Sequence, residues 1–157
     1  MRMMTFRTFI TTGTNKMVLK KAKELLESGG YTCVLTDGTA VHTSMFRGVK
    51  PLVQFLVNGT IPSGLSAADK VVGKATAYLY VLLKVKELYS LVISEPALAV
   101  LEANGIHAEY GQLVPNIINR KGDGICPFEM AVLDITDPET AYEAILRKMQ
   151  EMNITIQ

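Results

Sequence analysis

The stretch "NRKGDGICPFE", residues 119–129, gathers more reactive side chains than any other part of this chain. Cys126 stands directly before Pro127, a residue suited to the first turn of a helix. A cysteine at a helix start with cations nearby has a depressed pKa and is a better nucleophile. Arg120 and Lys121 supply cations, Gly122 and Gly124 permit a tight loop, and Glu129 offers a carboxylate. This set could run covalent chemistry. Cys126 would be the nucleophile or adduct site, Lys74 or Arg120 would hold developing charge, and Glu129 or Asp69 would move protons. The plainer alternative is a buried, inert thiol, because free cysteine is among the most buried residue types. The loop matches neither the P-loop nor the dinucleotide-binding fingerprint.

A second group of residues points to an anion. Arg47 and Lys50 precede Pro51, where a helix start would present free N–H groups. Residues 67–86 read as one long helix, with Val71, Ala75, Tyr78, Leu79 and Leu82 on its apolar face. Ser66 and Asp69 form a variant capping box at its start. On that helix Lys70 and Lys74 stand one turn apart beside Gly73. Like charges at this spacing repel, and positive charge is unfavourable near a helix N-terminus. The small Gly73 would let a ligand or another backbone approach. Lys70, Gly73 and Lys74 together suggest an anion near the start of this helix. Solvated lysines and a purely capping Asp69 would account for the same residues without a ligand.

The elements that must position these groups follow from local signals. Residues 1–15 read as an arm or an added edge strand, and residues 16–157 as one domain. Several early methionines leave the start ambiguous. Asn15 can cap a helix that ends near Gly29. Residues 31–36 and 39–44 are β-rich, with Asp37-Gly38 as a two-residue hairpin turn. Pro51 and Gly59 bound a short helix. Residues 88–94 form a continuous apolar run, read as a buried strand. Ser94, Pro96 and Asn104-Gly105 frame the next helix. Residues 106–111 read as a short strand and 112–127 as a surface loop. A final helical region breaks at Asp137-Pro138, with Thr136 and Glu139 as its capping box. This order, α-β-β-α-α-β-α-β-α-α, predicts an α/β fold with a mixed sheet between helices.

Bulk properties exclude several classes. The 157 residues suit a single buried core, and 48% hydrophobic with 20% charged residues is ordinary globular composition. A net charge of +1 and the lack of interleaved aromatics argue against nucleic acid. The longest apolar run, Ala77 to Leu83, is far short of the roughly 20 residues a bilayer needs, so no membrane is implied. Cys33 and Cys126 are too few for a disulfide scaffold and fit a reducing cytoplasm.

Four blocks in order, "GTAVHTSMFRGVKPLVQFL", "AADKVVGKATAYL", "ISEPALAVLEANGI" and "NRKGDGICPFE", resemble a small bacterial family of no known function with a cytidine-deaminase-like fold. The resemblance spans about residues 17–135. It implies a three-layer α/β/α sandwich and no particular activity. Zinc deaminases need a His or Cys with a nearby Glu on one helix and Pro-Cys-x-x-Cys at the start of the next. Here Pro96 is followed by Ala97 and Val100, which cannot bind metal, and the first helix reads "ADKVVGKA". His107-Ala108-Glu109 spells the right tripeptide in the wrong place, and His42 stands alone. No metal, no other cofactor and no conventional hydrolytic deamination are expected. The fold that the resemblance implies would bring Arg47, Lys50, Lys70, Gly73, Arg120 and Gly124 to one pocket, and the protein is expected to be a metal-free, deaminase-fold binder of a small anionic ligand, nucleotide-like or phosphorylated. The alternatives are an enzyme using Cys126 and a non-catalytic interaction module, with a homodimer possible in that case.

Overall fold

The computed structural model describes residues 2–156, with side chains from residue 16 onward. Helix α1 (Arg2–Gly29) leads into a hairpin of β1 (Cys33–Thr36) and β2 (Val41–Ser44). Helix α2 (Lys50–Asn58), strand β3 (Ser66–Val72), helix α3 (Lys74–Leu82) and strand β4 (Glu87–Ser94) follow. Helix α4 (Glu95–Ala103), strand β5 (His107–Val114) and helices α5 (Pro127–Ala131) and α6 (Pro138–Glu151) complete the chain. The sheet order is β2-β1-β3-β4-β5. β1 pairs antiparallel with both β2 and β3, whereas β3, β4 and β5 run parallel. The fold is therefore α/β with a mixed sheet.

Strand alternation divides the core between two faces. Val34, Ala68 and Tyr89 meet Leu19, Ala22 and Leu26 of α1 on one face. Cys33, Leu35, Ala67 and Leu88 face a larger cluster built from α2, α3, α4, α5 and α6. Helix α3 lies at the centre of that side, and Ala75 through Tyr80 are all buried. It packs against α2, α4 and α6 as well as the sheet.

The largest departure from the sequence reading is at 66–86. No single helix runs there. Ser66–Val72 is a strand, Gly73 is the turn, and α3 begins only at Lys74. Ser66 makes no capping box; its hydroxyl donates instead to the buried Glu87 carboxylate. The reason is tertiary. Ala67 and Ala68 are good helix formers, but they sit in a strand whose faces are both covered, and small side chains let those helices approach.

Smaller differences have local causes. The hairpin loop has four residues rather than two, because Asp37 Oδ1 accepts from both the Thr39 and Ala40 N–H groups and holds a wider turn. Backbone is helical from Arg2 on, in place of the expected arm or edge strand, so Asn15 lies within α1. The side chains of residues 1–15 lie outside the described ones. Asp137, not Thr136, caps α6, accepting from Thr140 N–H at 2.9 Å. β5 continues past Gly111 because that glycine lies against a neighbouring strand. A Cβ there would stand 2.9 Å from the Leu91 carbonyl oxygen.

Candidate functional site

The starts of α3 and α4 lie side by side at one end of the sheet, because each helix directly follows one of the adjacent parallel strands β3 and β4. Such paired helix starts expose free N–H groups and the positive ends of two helix dipoles. The residue before α3 is Gly73, which has no side chain to cap it. The cap comes from elsewhere in the chain. Glu129 of α5 places its carboxylate over the helix start, and Oε2 accepts from the Ala75 N–H at 3.1 Å. Oε1 lies 3.5 Å from the Ser94 hydroxyl. Ser94 in turn caps α4, accepting from the Ala97 N–H at 3.2 Å. One buried carboxylate thus bridges the beginnings of both helices.

This explains Gly73 sterically. Its backbone (φ −96°, ψ −179°) is open to any residue, so conformational freedom is not the reason. A Cβ at this position would meet the Glu129 Cδ at 2.6 Å and both carboxylate oxygens at 2.7 Å.

Lys74 and Tyr78, one turn apart on α3, hold the chain that follows α5. The Lys74 ammonium donates to the Leu133 carbonyl at 2.9 Å, and the Tyr78 hydroxyl donates to the Ile135 carbonyl at 3.0 Å. They fasten the segment that carries Glu129. Lys74 therefore acts here as a tether, and its spacing from Lys70 has no helical meaning. Lys70 is exposed on β3, two residues on from Ala68 and so toward the α1 side.

Asp69 points the other way, two residues on from Ala67. It is buried, with Oδ2 accepting from the Tyr80 hydroxyl at 2.6 Å and Oδ1 from the Val71 N–H at 3.2 Å. Burial pushes its pKa up to about 7, against the pull of the Tyr80 hydroxyl and backbone N–H groups. Its cross-strand neighbour is Cys33, whose thiol is pushed up by burial and then by the Asp69 charge.

Cys126 is half-buried at the start of the five-residue α5, and its side chain makes no capping bond. It packs at the margin of the core formed by α2 to α6. Iodoacetamide at neutral pH should therefore modify Cys126 alone on the folded protein, with Cys33 (1% exposed) reacting only on unfolding. Peptide mass mapping that finds the two cysteines modified together would contradict this placement.

The loop containing Arg120 and Gly124 is closed by its own contacts. Asn119 Nδ2 donates to Asp123 Oδ1 at 2.8 Å, and Asn119 N–H donates to the Gly124 carbonyl at 2.8 Å. Gly122 takes the left-handed conformation that this turn demands (φ +76°). Arg120 is exposed.

The expected site residues share one end of the sheet without meeting at one point. Cys33 pairs with both Ser44 and Asp69, so β2 ends level with Asp69, three residues short of the end of β3. Arg47 and Lys50 follow β2, Lys74 follows β3, and Arg120 follows β5. From β2 to β3 are two strand spacings, roughly 10 Å. Arg47 is exposed, and the Lys50 ammonium lies 4.4 Å over the Phe46 ring. Ser94 and Tyr80 are the partners that sequence reasoning missed. Ser94 is legible only as a cap, and nothing local links Tyr80 to Asp69.

Zinc does not suit this place. The helix starts offer Gly73, Lys74, Ser94, Ala97 and Val100, and the nearby carboxylate already bonds to backbone. Among the described residues, no three His, Cys, Asp or Glu side chains come together as a metal-holding group. Nor, among those residues, is any helix long and apolar enough to cross a membrane.

No curated protein matches this sequence. Residues 21–149 match the family described as TM1506, domain of unknown function (DUF1893). The crystal structure of a DUF1893 family protein from Thermotoga maritima is similar, with 30% sequence identity and a TM-score of 0.78. The match covers 85% of this chain and 90% of that one. Matched along most of its length, the chain belongs to the DUF1893 family.

Proposed function

We propose that this protein is a metal-free binder of small anions on a cytidine-deaminase-like frame, and that the anion is received at the start of α3. The observation that carries the reading is the Glu129 carboxylate seated on the Ala75 N–H and beside Ser94. A carboxylate already rests there, so the place has the hydrogen-bond donors and the dipole that an external anion would need. Open α/β sheets bind their ligands beyond the carboxyl ends of parallel strands, which is where this site lies. The deaminase-like frame is supported by α3 and α4 starting side by side after β3 and β4, as in enzymes that hold zinc between two such helices. A phosphorylated or carboxylated metabolite, nucleotide-like in size, would displace Glu129 as it binds.

The test is an NMR titration of the wild-type protein with inorganic phosphate and with malonate at constant ionic strength. The reading expects saturable shifts of the Ala75 and Gly73 amides. If those amides stay unmoved while the rest of the spectrum responds to salt alone, the site does not exchange its carboxylate and the reading fails.

A further inference from the structure

A second concavity lies away from Glu129, between the end of β2 and α2. It is an open cleft of about 400 Å³, comparable in volume to small-molecule sites. Three aromatic rings, Tyr31, Phe46 and Phe55, contribute to its lining. Each ring is placed by a specific contact. A Cβ on Gly29 would stand 2.3 Å from the Tyr31 ring, so that glycine seats the ring against the end of α1. Phe55 stands edge-on to His42 with centroids 6.5 Å apart. Lys50 lies over Phe46. Thr43 and Gln54 also line the cleft, and neither the Thr43 hydroxyl nor the Gln54 amide hydrogen-bonds to another described residue.

Positive charge lies close by: Arg47 follows Phe46 in the chain, and the Lys50 ammonium stands 4.4 Å over the Phe46 ring. Rings offering stacking surface, polar groups with spare hydrogen-bonding capacity and local positive charge together describe a ligand with a planar ring, a polar edge and an anionic group.

We propose that the β2–α2 pocket binds a small planar aromatic compound carrying a phosphate or carboxylate. Its ring packs against Phe46, Tyr31 or Phe55, its polar edge meets Gln54 and Thr43, and its anion lies toward Lys50 and Arg47. The proposal does not depend on the Glu129 site.

The test uses the full chain with three probes, adenosine 5′-monophosphate, uridine 5′-monophosphate and phenyl phosphate, followed by NMR and calorimetry. At least one should bind saturably and shift the Thr43 and Gln54 resonances. Ribose 5-phosphate, which has no ring, should bind at least tenfold more weakly. Phe46→Ala, at a half-exposed position, should weaken the binding at least tenfold while leaving the thermal midpoint nearly unchanged. Lys50→Met should remove the advantage of AMP over adenosine. No saturable binding by any probe, or binding indifferent to Phe46→Ala, overturns the proposal.

Discussion

Glu129→Ala should lower the unfolding free energy by about 2–4 kcal/mol. The Ala75 N–H would lose its partner inside the protein, at a cost of about 1–3 kcal/mol. The start of α3 would also lose a favourable negative charge, and a cavity would remain where the side chain had been. Relief of the desolvated charge offsets part of this. Glu129→Gln retains an acceptor of the same shape and should cost less, about 1–2 kcal/mol. Gly73→Ala should cost about 1–3 kcal/mol, because the new methyl strikes the carboxylate. The two residues must be coupled. In Gly73→Ala/Glu129→Ala the methyl occupies space that the carboxylate has vacated, so the double variant should lose at least about 1 kcal/mol less than the sum of the single losses. Urea unfolding of the four proteins gives this cycle directly. Simple additivity would show that Gly73 is not there to admit Glu129.

The second large effect is in pH. Folded Asp69 has a pKa raised to about 7 from an ordinary value of 3.8. Between those values the folded protein keeps a proton that the unfolded chain has released. The Asp69 contribution to stability is therefore greatest below about pH 4, is lost as pH rises toward 7, and stays lost above that. The gap corresponds to a loss on the order of 4 kcal/mol. Asp37, Asp137 and Glu151 have lowered values, so their contributions are fully present above their ordinary values, 3.8 for the aspartates and 4.5 for Glu151, and fade only at and below the acid edge of this window. Cys33 and Tyr80, which face Asp69, both have raised values and remain neutral throughout it. Asp69→Asn should flatten the slope between pH 4.5 and 7.5 and make the variant more stable than the wild type at pH 8. Denaturant midpoints at three pH values suffice. A wild-type stability that rises through this window, or an Asn variant with the same slope, would refute the assignment.

Both predictions rest on contacts that no local pattern displays. Ala75 and Glu129 are 54 residues apart in sequence, and only the folding of α5 onto α3 unites them. What could be read were the short-range signals. These were the Pro51 and Gly59 bounds of α2, the Ser94 cap and Pro96 of α4, and the apolar run of β4. The hairpin was legible in kind but not in loop length, because the Asp37 side chain widens the turn. β3 was hidden because Ala67, Ala68 and Lys70 favour helix in isolation, and only packing on both faces makes that segment a strand. Gly73 marked the boundary between strand and helix but read as an interruption within one helix. At the candidate site, Glu129 and Gly73 were recognisable as unusual, and their relation to one another was not. The basic residues were read as convergent through the fold that the resemblance implied, and helical spacing joined only Lys70 to Lys74. Once that helix divides, Lys70 and Lys74 belong to different elements, and Lys74 has a backbone carbonyl to hold.

On the function proposed above, the start of α3 is an anion site filled by the chain's own Glu129 carboxylate. Chemical rescue tests it most directly. The thermal midpoint of Glu129→Ala is measured in sodium acetate and in sodium chloride at equal ionic strength and pH 7, beside the wild type. Acetate should restore several degrees to the variant, saturably, while chloride does not and the wild type gains little. Equal responses to acetate and chloride, or an acetate effect as large in the wild type, would contradict it.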